Sequence, residues 1–281
     1  MSASQFNATS AAELVNLEQY PLPGAAGDAP DTAGEHFLEN CRRDYLQSGL
    51  CILPDFIHPQ ALNALADEAN QLAPEAYFCK STHNAYLDDG ASDLPADDVT
   101  NQQEHTYVGS VAFDQIHDTS LLRTLYQWDP LKSFIGAVLG KTSFYRFADP
   151  FGACSINVFV DGGEHGWHFD ESEYTVTLML QRPKQGGSFE YVPLIRDQPD
   201  EKTIVRNTLE GDRTHVAELP FTAGTLLIFG GRQTLHRVTR VTGDTPRLVP
   251  VLCYAEKPGM TNSESVRELF WGRRGPDSAH A

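Results

Sequence analysis

The chain has 281 residues, of which 41% are hydrophobic, and this is enough for one large domain with a buried core. Its 38 acidic residues outnumber its 21 basic residues, so the formal net charge is -17 and the pI is about 4.9. An acidic surface repels phosphate backbones and anionic lipids, which argues against nucleic acid as the main partner and favours a small or cationic substrate. Solubility by itself would explain the same charge.

Three features of the sequence narrow the class of protein. There is no run of about 18 apolar residues, which argues against a membrane span, and the N-terminus lacks the basic and apolar regions of a secretory signal. The five cysteines are odd in number and form no C-x-x-C pair, so we expect reduced thiols in a cytoplasmic protein. The motifs of serine hydrolases, phosphate loops and zinc proteases are missing as well.

In chain order, residues 1–34 are rich in Ala, Gly, Pro, Ser and Asp and lack periodicity, which predicts a loosely held arm. The remainder, 35–281, is expected to form a single domain. A helical entry region, 35–140, opens with an amphipathic helix that ends near Gly49, followed by a short strand and a second helix. A third helical region is predicted over about 118–139.

Residues 81–105 are polar and show no clear periodicity. A stretch of this length within a compact domain is typically either a disordered insertion or a functional lid, and the sequence leaves both open. The dipeptide Glu104-His105 is a candidate for a contact between such a lid and the substrate, which makes His105 a candidate substrate residue.

The sequence changes in character after Lys141, where short β-rich runs separated by turn residues replace the helical pattern. The runs are TSFYRF, CSINVFV, YTVTLMLQ, GSFEYVPLI, HVAELPF, TLLIFGG, LHRVTRV and RLVPVLCY. Many short strands at this spacing predict a double-sheet antiparallel core of the jelly-roll kind over 141–256. The tail, 257–281, is expected to contain a final helix at about 262–274. The predicted fold class is therefore mainly β with flanking N-terminal helices.

The segment GGEHGWHFDESEYTVTLML contains His168 and Asp170, which lie two positions apart. On an extended strand, positions i and i+2 point to the same side, so the imidazole and the carboxylate project together. His236 follows the strand-and-turn run GTLLIFGG and completes a set of two histidines and one carboxylate. Such a facial triad leaves three coordination positions open and suits non-haem Fe(II), so these three residues are the predicted catalytic metal ligands. An isolated H-x-D is usually chance, but the flanking Gly-Gly turn, the β run and the distal histidine make this pattern specific.

Arg247 opens the next strand-like run, RLVPVL, after the distal histidine. A basic residue there is expected to point into the same cavity, where it could pair bidentately with a carboxylate.

The HFD motif, the distal LHRV and the downstream PRL resemble the iron(II)/2-oxoglutarate dioxygenase superfamily. The resemblance covers residues 140–256 and implies a double-stranded β-helix that uses Fe(II), 2-oxoglutarate and O2, with stimulation by ascorbate. It implies that Arg247 binds the distal carboxylate of 2-oxoglutarate and that Asn157, in SINVF, also contacts this cosubstrate. An ordinary strand-end asparagine is the alternative for Asn157.

A narrower resemblance is to the bacterial group that contains free-amino-acid halogenases and their hydroxylating relatives. It is carried by YRFADPFGACSINVF, GWHFDESEYTVTLMLQ, GGSFEYVPLIR, GTLLIFGGRQTLHRVT and PRLVPVLCYAEKPG. Halogenases of that group carry Gly or Ala in place of the metal carboxylate, which frees a site for chloride. Because Asp170 is retained here, the resemblance implies a hydroxylase that acts on an unactivated C–H bond of a small polar metabolite, in particular a free amino acid.

By the same resemblance, His165 and Glu171 are candidate substrate residues. Trp271, in the tail, is a candidate because its aromatic face could close the pocket. A turn histidine, a solvated rim charge and a packing anchor are the respective structural alternatives. Trp167 is expected to point away from the metal ligands and to pack in the core.

Two other functions stay open at the level of sequence. The same cofactors could support desaturation or ring closure of a natural-product intermediate. A non-catalytic or other-metal cupin-like binding protein could also share the fold, since a fold does not fix a function. The sequence does not predict the oligomeric state.

Overall fold

A computed structural model of the chain describes residues 10–25, 32–87 and 98–275. The helices are α1 (Thr32–Ser48), α2 (Pro59–Leu72), α3 (Leu121–Gln127), α4 (Asp129–Val138), α5 (Glu201–Leu209) and α6 (Glu264–Trp271). The strands are β1 (Leu50–Leu53), β2 (Tyr77–His83), β3 (Glu104–Val111), β4 (Tyr145–Arg146), β5 (Cys154–Phe159), β6 (Glu164–His168), β7 (Thr175–Leu178), β8 (Phe189–Val192), β9 (Ala217–Leu219), β10 (Leu226–Phe229), β11 (Leu235–Val238), β12 (Arg247–Leu252) and β13 (Tyr254–Ala255). Short 3-10 turns lie at Ala11–Glu13, Ala73–Glu75, Val99–Asn101 and Phe113–Gln115.

Eleven of the described strands form one antiparallel sheet in the order β1-β10-β7-β12-β5-β3-β6-β11-β8-β9, with β2 paired to β3 at the side. The strands β4 and β13 form a separate two-stranded ribbon. In the long sheet β3 pairs with both β5 and β6, so it joins the layer of β1, β10, β7, β12 and β5 to the layer of β6, β11, β8 and β9. The sheet thus rolls into two facing layers, and the predicted jelly roll is confirmed.

Alternation along the strands separates a helix-packed face from an interior face. In β5, Ile156 and Val158 belong to the core cluster beneath the helices. Phe159 faces the interior, in a second cluster with Val249 of β12 and Leu227 of β10. Asn157 lies opposite Val249 and therefore also faces the interior. A polar residue can occupy this face because the space between the layers holds the candidate site.

The helices α1, α2, α3 and α4 cover the outer face of the first layer, where they bury residues such as Cys41, Leu65, Leu125 and Phe134. The predicted helical region 118–139 is two helices. The break lies at Trp128, because Pro130 in the first turn of α4 cannot continue a preceding helix. The predicted C-terminal helix is confirmed as α6.

Two predictions about the N-terminal half are wrong. The arm expected over 1–34 is tightly packed where the structure describes it, at 10–25, because Leu14 and Val15 are fully buried and the amide of Asn16 donates to the carbonyl of Phe56. The remaining arm residues lie outside the described ranges, apart from those that begin α1. The jelly-roll core also extends beyond 141–256, since the entry region supplies β1, β2 and β3.

The polar stretch 81–105 is partly structured. Its first residues end β2, and its last two, Glu104 and His105, begin β3. Residues 88–97, the middle of the expected lid, lie outside the described residues, so the lid stays a prediction. Among the described helices, none combines the length and the apolar character that crossing a bilayer requires.

Candidate metal centre

The metal candidates meet where β6 and β11 pair. His168 is the last residue of β6 and lies directly opposite His236 of β11. The next matched pair is His165 with Val238, so β6 contains one extra residue in a β-bulge. Residues three apart on a regular strand face opposite sides, but the bulge turns both histidines of β6 toward the interior. Asp170 follows β6 in the loop to β7.

The side chains of His168, Asp170 and His236 offer ligand atoms that all lie within 4.8 Å of one another. Asp170 Oδ1 is 3.4 Å from His168 Nε2 and 3.5 Å from His236 Nε2. The other ring nitrogen of each histidine donates to a carbonyl, at 2.8 Å to Gly166 and at 2.9 Å to Thr234. Each carbonyl fixes the tautomer and leaves Nε2 free to bind metal, which is the usual support of a metal-bound histidine.

The electrostatics of the triad also suit a cation. Burial, followed by the neighbouring His236, lowers the pKa of His168 to about 4, which keeps its imidazole neutral at ordinary pH. For Asp170, burial acts to raise the pKa, but the two histidines outweigh it and hold the pKa well below the usual value. A neutral imidazole and an ionised carboxylate are the protonation states that bind metal, so two imidazoles and one carboxylate fit Fe(II) here.

Two residues outside the triad orient the carboxylate. The hydroxyl of Thr175, the first residue of β7, donates to Asp170 Oδ2 at 2.5 Å. Gly231 lies against the same oxygen, and a Cβ added there would come within 2.0 Å of Asp170 Oδ2. The amide of Asp170 donates to the carbonyl of Gly231 at 3.1 Å. The Gly230-Gly231 pair thus makes room for the metal ligand as well as forming a turn.

Arg247 faces the interior from the first residue of β12. Its side chain is buried, and its Nε has no hydrogen-bond partner among the described residues. The guanidinium carbon lies 5.2 Å from the ring centre of Phe159 and 5.7 Å from that of Phe221. Burial, followed by repulsion from Arg182, lowers the pKa of Arg247 to about 9. A buried guanidinium with an unpartnered donor and aromatic walls fits an anionic ligand, as the distal carboxylate of 2-oxoglutarate would be.

Other polar side chains face the same interior as Arg247. Asn157 accepts a long hydrogen bond of 3.5 Å from Ser110 on the neighbouring strand β3. Thr177, two residues after the aspartate-binding threonine, is buried with no partner for its hydroxyl among the described residues. The interior face therefore carries polar groups besides the triad and Arg247.

The candidate substrate residues occupy different positions. His165 stacks on His168, with ring centres 3.8 Å apart and planes 20° apart. Glu171 is exposed at the rim. Trp271 of α6 is buried against Phe151, and its indole N–H has no partner among the described residues. The expectation for Trp167 holds, since it packs behind the metal strand in a separate cluster.

The structure does not bring His105 to the triad, and its contact with substrate through a lid stays a prediction. This histidine is exposed and lies on the face of β3 opposite to Thr106, which faces His165. The alternation of the strand turns it away from the triad. Its neighbour Glu104 accepts a hydrogen bond from the amide of Trp167 at 3.0 Å, so it supports the metal strand from outside.

Sequence reasoning missed three residues close to the triad. Thr175 could have been found from its place at the start of the strand after H-x-D, and Gly231 from the Gly-Gly pair before the distal histidine. The third, His83, ends β2, and its ring centre is 5.7 Å from that of His168. No pattern within the sequence connects His83 to the site, because only the pairing of β2 with β3 brings it there.

The chain matches the family model described as Halogenase D over residues 33–269. A search of curated proteins gives no match. Among solved structures, the alpha ketoglutarate dependent epimerase SnoN from nogalamycin biosynthesis aligns with a TM-score of 0.55 and 16% identity, over 79% of this chain and 83% of that chain. The carbocyclase SnoK from the same biosynthesis gives 0.54 and 17%, over 83% and 90%.

HygX from Streptomyces hygroscopicus, solved with nickel, 2-oxoglutarate and hygromycin B bound, aligns with a TM-score of 0.52 and 12% identity, over 79% of this chain and 88% of that chain. At such identities the likeness to these structures shows the fold, whereas the family model covers most of the chain. The protein therefore belongs to the Halogenase D family.

Proposed function

We propose that this oxygenase hydroxylates an unactivated C–H bond of a small polar metabolite, and that the metabolite is a free amino acid. One observation carries the cofactor assignment: an open His-Asp-His triad and a buried, unpartnered Arg247 face the same interior. A non-catalytic binding protein on this fold would have no need for both. The solved relative HygX, with nickel and 2-oxoglutarate bound, supports the same cofactor class.

In this proposal His168, Asp170 and His236 hold Fe(II), and Arg247 binds the distal carboxylate of 2-oxoglutarate. Asn157 lies on the same interior face as Arg247 and provides a further polar contact for the cosubstrate. When bound, iron and 2-oxoglutarate supply the oxidising power for C–H cleavage with O2. The protein contributes orientation and the exclusion of water, since the interior is closed by apolar residues such as Phe159, Leu227 and Val249.

The choice of oxygen over halide rests on Asp170. The family model is described as Halogenase D. The halogenases that this sequence resembles carry Gly or Ala in place of the metal carboxylate, whereas this chain has Asp170. Here the carboxylate is built into the site by a hydrogen bond from Thr175 and by the gap at Gly231. It fills the position that chloride would need, and its negative charge repels an anion. This arrangement supports hydroxylation over halogenation.

In this proposal His165, Glu171 and Trp271 contact the substrate. The stacked ring of His165 has a polar edge, and Trp271 has an N–H without a partner among the described residues. Glu171 adds negative charge at the rim, which favours a cationic group. A small molecule with a carboxylate and an amine fits these chemistries, and the net charge of -17 disfavours a nucleic-acid substrate.

The test incubates the Fe(II)-loaded protein with 2-oxoglutarate, O2, ascorbate, chloride and a pool of free amino acids. We expect succinate release stimulated by one amino acid and a product heavier by one oxygen atom. No succinate with any substrate class would favour the cupin-like binding protein. A chlorinated product would overturn the choice of oxygen, and turnover restricted to a carrier-bound or lipid substrate would overturn the substrate class.

A second outcome has some structural support. SnoN is described as an epimerase and SnoK as a carbocyclase, so this fold accommodates reactions that insert no oxygen into the substrate. Desaturation or ring closure would release succinate and give a product lighter by two hydrogens. The same product masses therefore separate it from hydroxylation.

A further inference from the structure

Four of the ten histidines gather at the metal centre, but the triad uses only two of them. His165 stacks on His168 at 3.8 Å. His83 stands edge-on to both rings, at 5.5 Å and 89° from His165 and at 5.7 Å and 80° from His168. The ring of His83 thus packs against both stacked histidines.

Both nitrogens of His83 are engaged within the protein. Nδ1 lies 3.0 Å from the carbonyl of Asn84, and Nε2 lies 2.9 Å from the hydroxyl of Thr106. A carbonyl oxygen can only accept, so Nδ1 carries the hydrogen and Nε2 accepts from the threonine. A histidine held in this way has no lone pair left for a metal and no N–H left for a substrate. Its contribution to the site must come through the rings that it contacts.

The residues after His83 hold the adjacent part of the metal segment. The amide of Phe169, the middle residue of H-x-D, donates to the carbonyl of Ala85 at 2.8 Å. The ring of Tyr86 packs against Phe169, with ring centres 5.5 Å apart. Because β6 ends at His168, the backbone of Phe169 has no partner in a neighbouring strand. The carbonyl of Ala85 accepts the hydrogen bond from its amide instead.

We propose that His83 is a positioning residue of the metal centre, fixing the imidazole of His168 through the His165 stack and so setting the affinity for metal. The inference rests on the proposed triad, because it concerns the orientation of one of the three ligands. Groups that orient metal ligands typically change the affinity by about 10- to 100-fold when they are lost. Thr106 acts on the same ring from the neighbouring strand, so it belongs to the same arrangement.

The experiment titrates EDTA-treated protein with Co(II) and follows the optical d–d bands. It compares the wild type with His83→Ala, His83→Phe and Thr106→Val. Thr82→Ala is the matched control, because Thr82 neighbours His83 on β2 but is exposed on the opposite face. Unfolding of each metal-free variant is measured in parallel, so that a loss of affinity can be separated from a loss of stability.

We expect His83→Ala to weaken Co(II) binding about tenfold and to alter the d–d bands. Thr106→Val should also weaken Co(II) binding. The double variant His83→Ala/Thr106→Val should lose less affinity than the two single losses added together, because Thr106 acts through the His83 ring that His83→Ala removes. Thr82→Ala should stay within about twofold of the wild type. If His83→Ala does not fold, His83→Phe keeps the ring but removes its hydrogen bonds and should still weaken binding.

Wild-type affinity in His83→Phe, Thr106→Val and any folded His83→Ala would overturn the inference, as would an equal loss in Thr82→Ala. Failure of the proposed triad is a different result. In that case the wild type itself would bind no Co(II), and His168→Ala would change nothing.

Discussion

At the scale of single residues, the position of the metal carboxylate depends on a missing side chain. Gly231 has no Cβ, and Asp170 Oδ2 occupies the space where one would be. Gly230 is next in the chain, but a Cβ there would meet its nearest neighbour, the hydroxyl of Tyr45, at an ordinary 3.5 Å. Neither glycine has the positive φ that would by itself exclude alanine. Alanine at Gly231 therefore tests the close approach to Asp170, and alanine at Gly230 is its matched control.

Gly231→Ala should displace the Asp170 carboxylate and weaken metal binding by about 10- to 100-fold, whereas Gly230→Ala should leave it within about twofold. The measurement is the dissociation constant for Co(II) of each EDTA-treated variant. Equal affinities in the two variants would show that the carboxylate can move without cost, and the close approach would then have no role in the metal site.

The second prediction at this scale concerns the cosubstrate. Arg247→Gln removes a buried guanidinium that has no carboxylate partner within the described chain, so the loss should appear in ligand binding. A charge-assisted contact contributes about 1.5–3 kcal/mol, which is about tenfold to over a hundredfold in the affinity for 2-oxoglutarate. The measurement is a 2-oxoglutarate titration of the metal-loaded protein, with metal affinity measured separately.

Arg240→Gln is the control for this charge change, because Arg240 is exposed and lies outside the interior face. It should leave the affinity for 2-oxoglutarate unchanged. A strong loss in Arg240→Gln together with an unchanged Arg247→Gln would mean that the cosubstrate binds elsewhere on the protein.

At the scale of elements, the site was predictable where one strand carries it. The i and i+2 rule placed His168 and Asp170 on one side, and the β-rich runs after Lys141 predicted the jelly roll. The bulge of β6 was not predictable, because an extra residue shows only against the partner strand β11. It is this bulge that brings His165 onto the metal side.

The strands β2 and β3 were missed for a related reason. The strand β2 pairs with β3 alone among the described strands, and its residues Lys80, Ser81 and Thr82 are polar, so the sequence shows no hydrophobic alternation there. The packed segment at 10–25 was missed because Leu14 and Val15 are surrounded by small and polar residues. In both places tertiary contacts, and no local pattern, determine the structure.

The helix α6 provides a prediction at the same scale. Asp149 is buried and accepts hydrogen bonds from the amides of Phe151, Gly152 and Asn262 and from Nε of Arg267. Since Arg267 is on α6, this carboxylate ties the helix that carries Trp271 to the start of β5. Burial acts to raise the pKa of Asp149, but these donors outweigh it and hold the pKa below its usual value.

Asp149→Asn should replace one accepting oxygen by an NH2 group, which cannot accept from the N–H donors around it. The variant should therefore lose part of the hydrogen bonding that holds α6. Loss of one partner of a buried ion pair costs about 3–5 kcal/mol, so the free energy of unfolding should fall by about that amount. Amide exchange in α6 should become faster, and substrate affinity should fall while metal affinity stays unchanged. Glu268→Gln, which breaks an exposed ion pair of α6 with Arg274, is the control and should change little.

At the scale of the whole molecule, burial of neutral histidines makes the metal-free protein sensitive to acid. His168 has a pKa of about 4 in the folded state against an ordinary value of 6.5, and burial also lowers the pKa of His165 and His83. In this range the unfolded chain binds more protons than the folded chain, so stability rises with pH. The stability that depends on these neutral histidines should therefore be fully present above about pH 6.5 and should be lost as the pH falls toward 4.

The difference of 6.5 − 4 for His168 corresponds to about 3 kcal/mol at most. The net charge has the opposite effect on stability. As the pH falls toward the pI near 4.9, the charge of -17 shrinks and the self-repulsion of the folded protein decreases.

The histidine contribution is isolated by comparing the wild type with His168→Asn in urea unfolding at pH 5, 6, 7 and 8, all in EDTA. We expect a shallower pH dependence in His168→Asn, and an unchanged one in His36→Gln, whose side chain is 82% exposed. Identical slopes in the wild type and His168→Asn would show that the pKa of this histidine is the same in the folded, metal-free protein as in the unfolded chain.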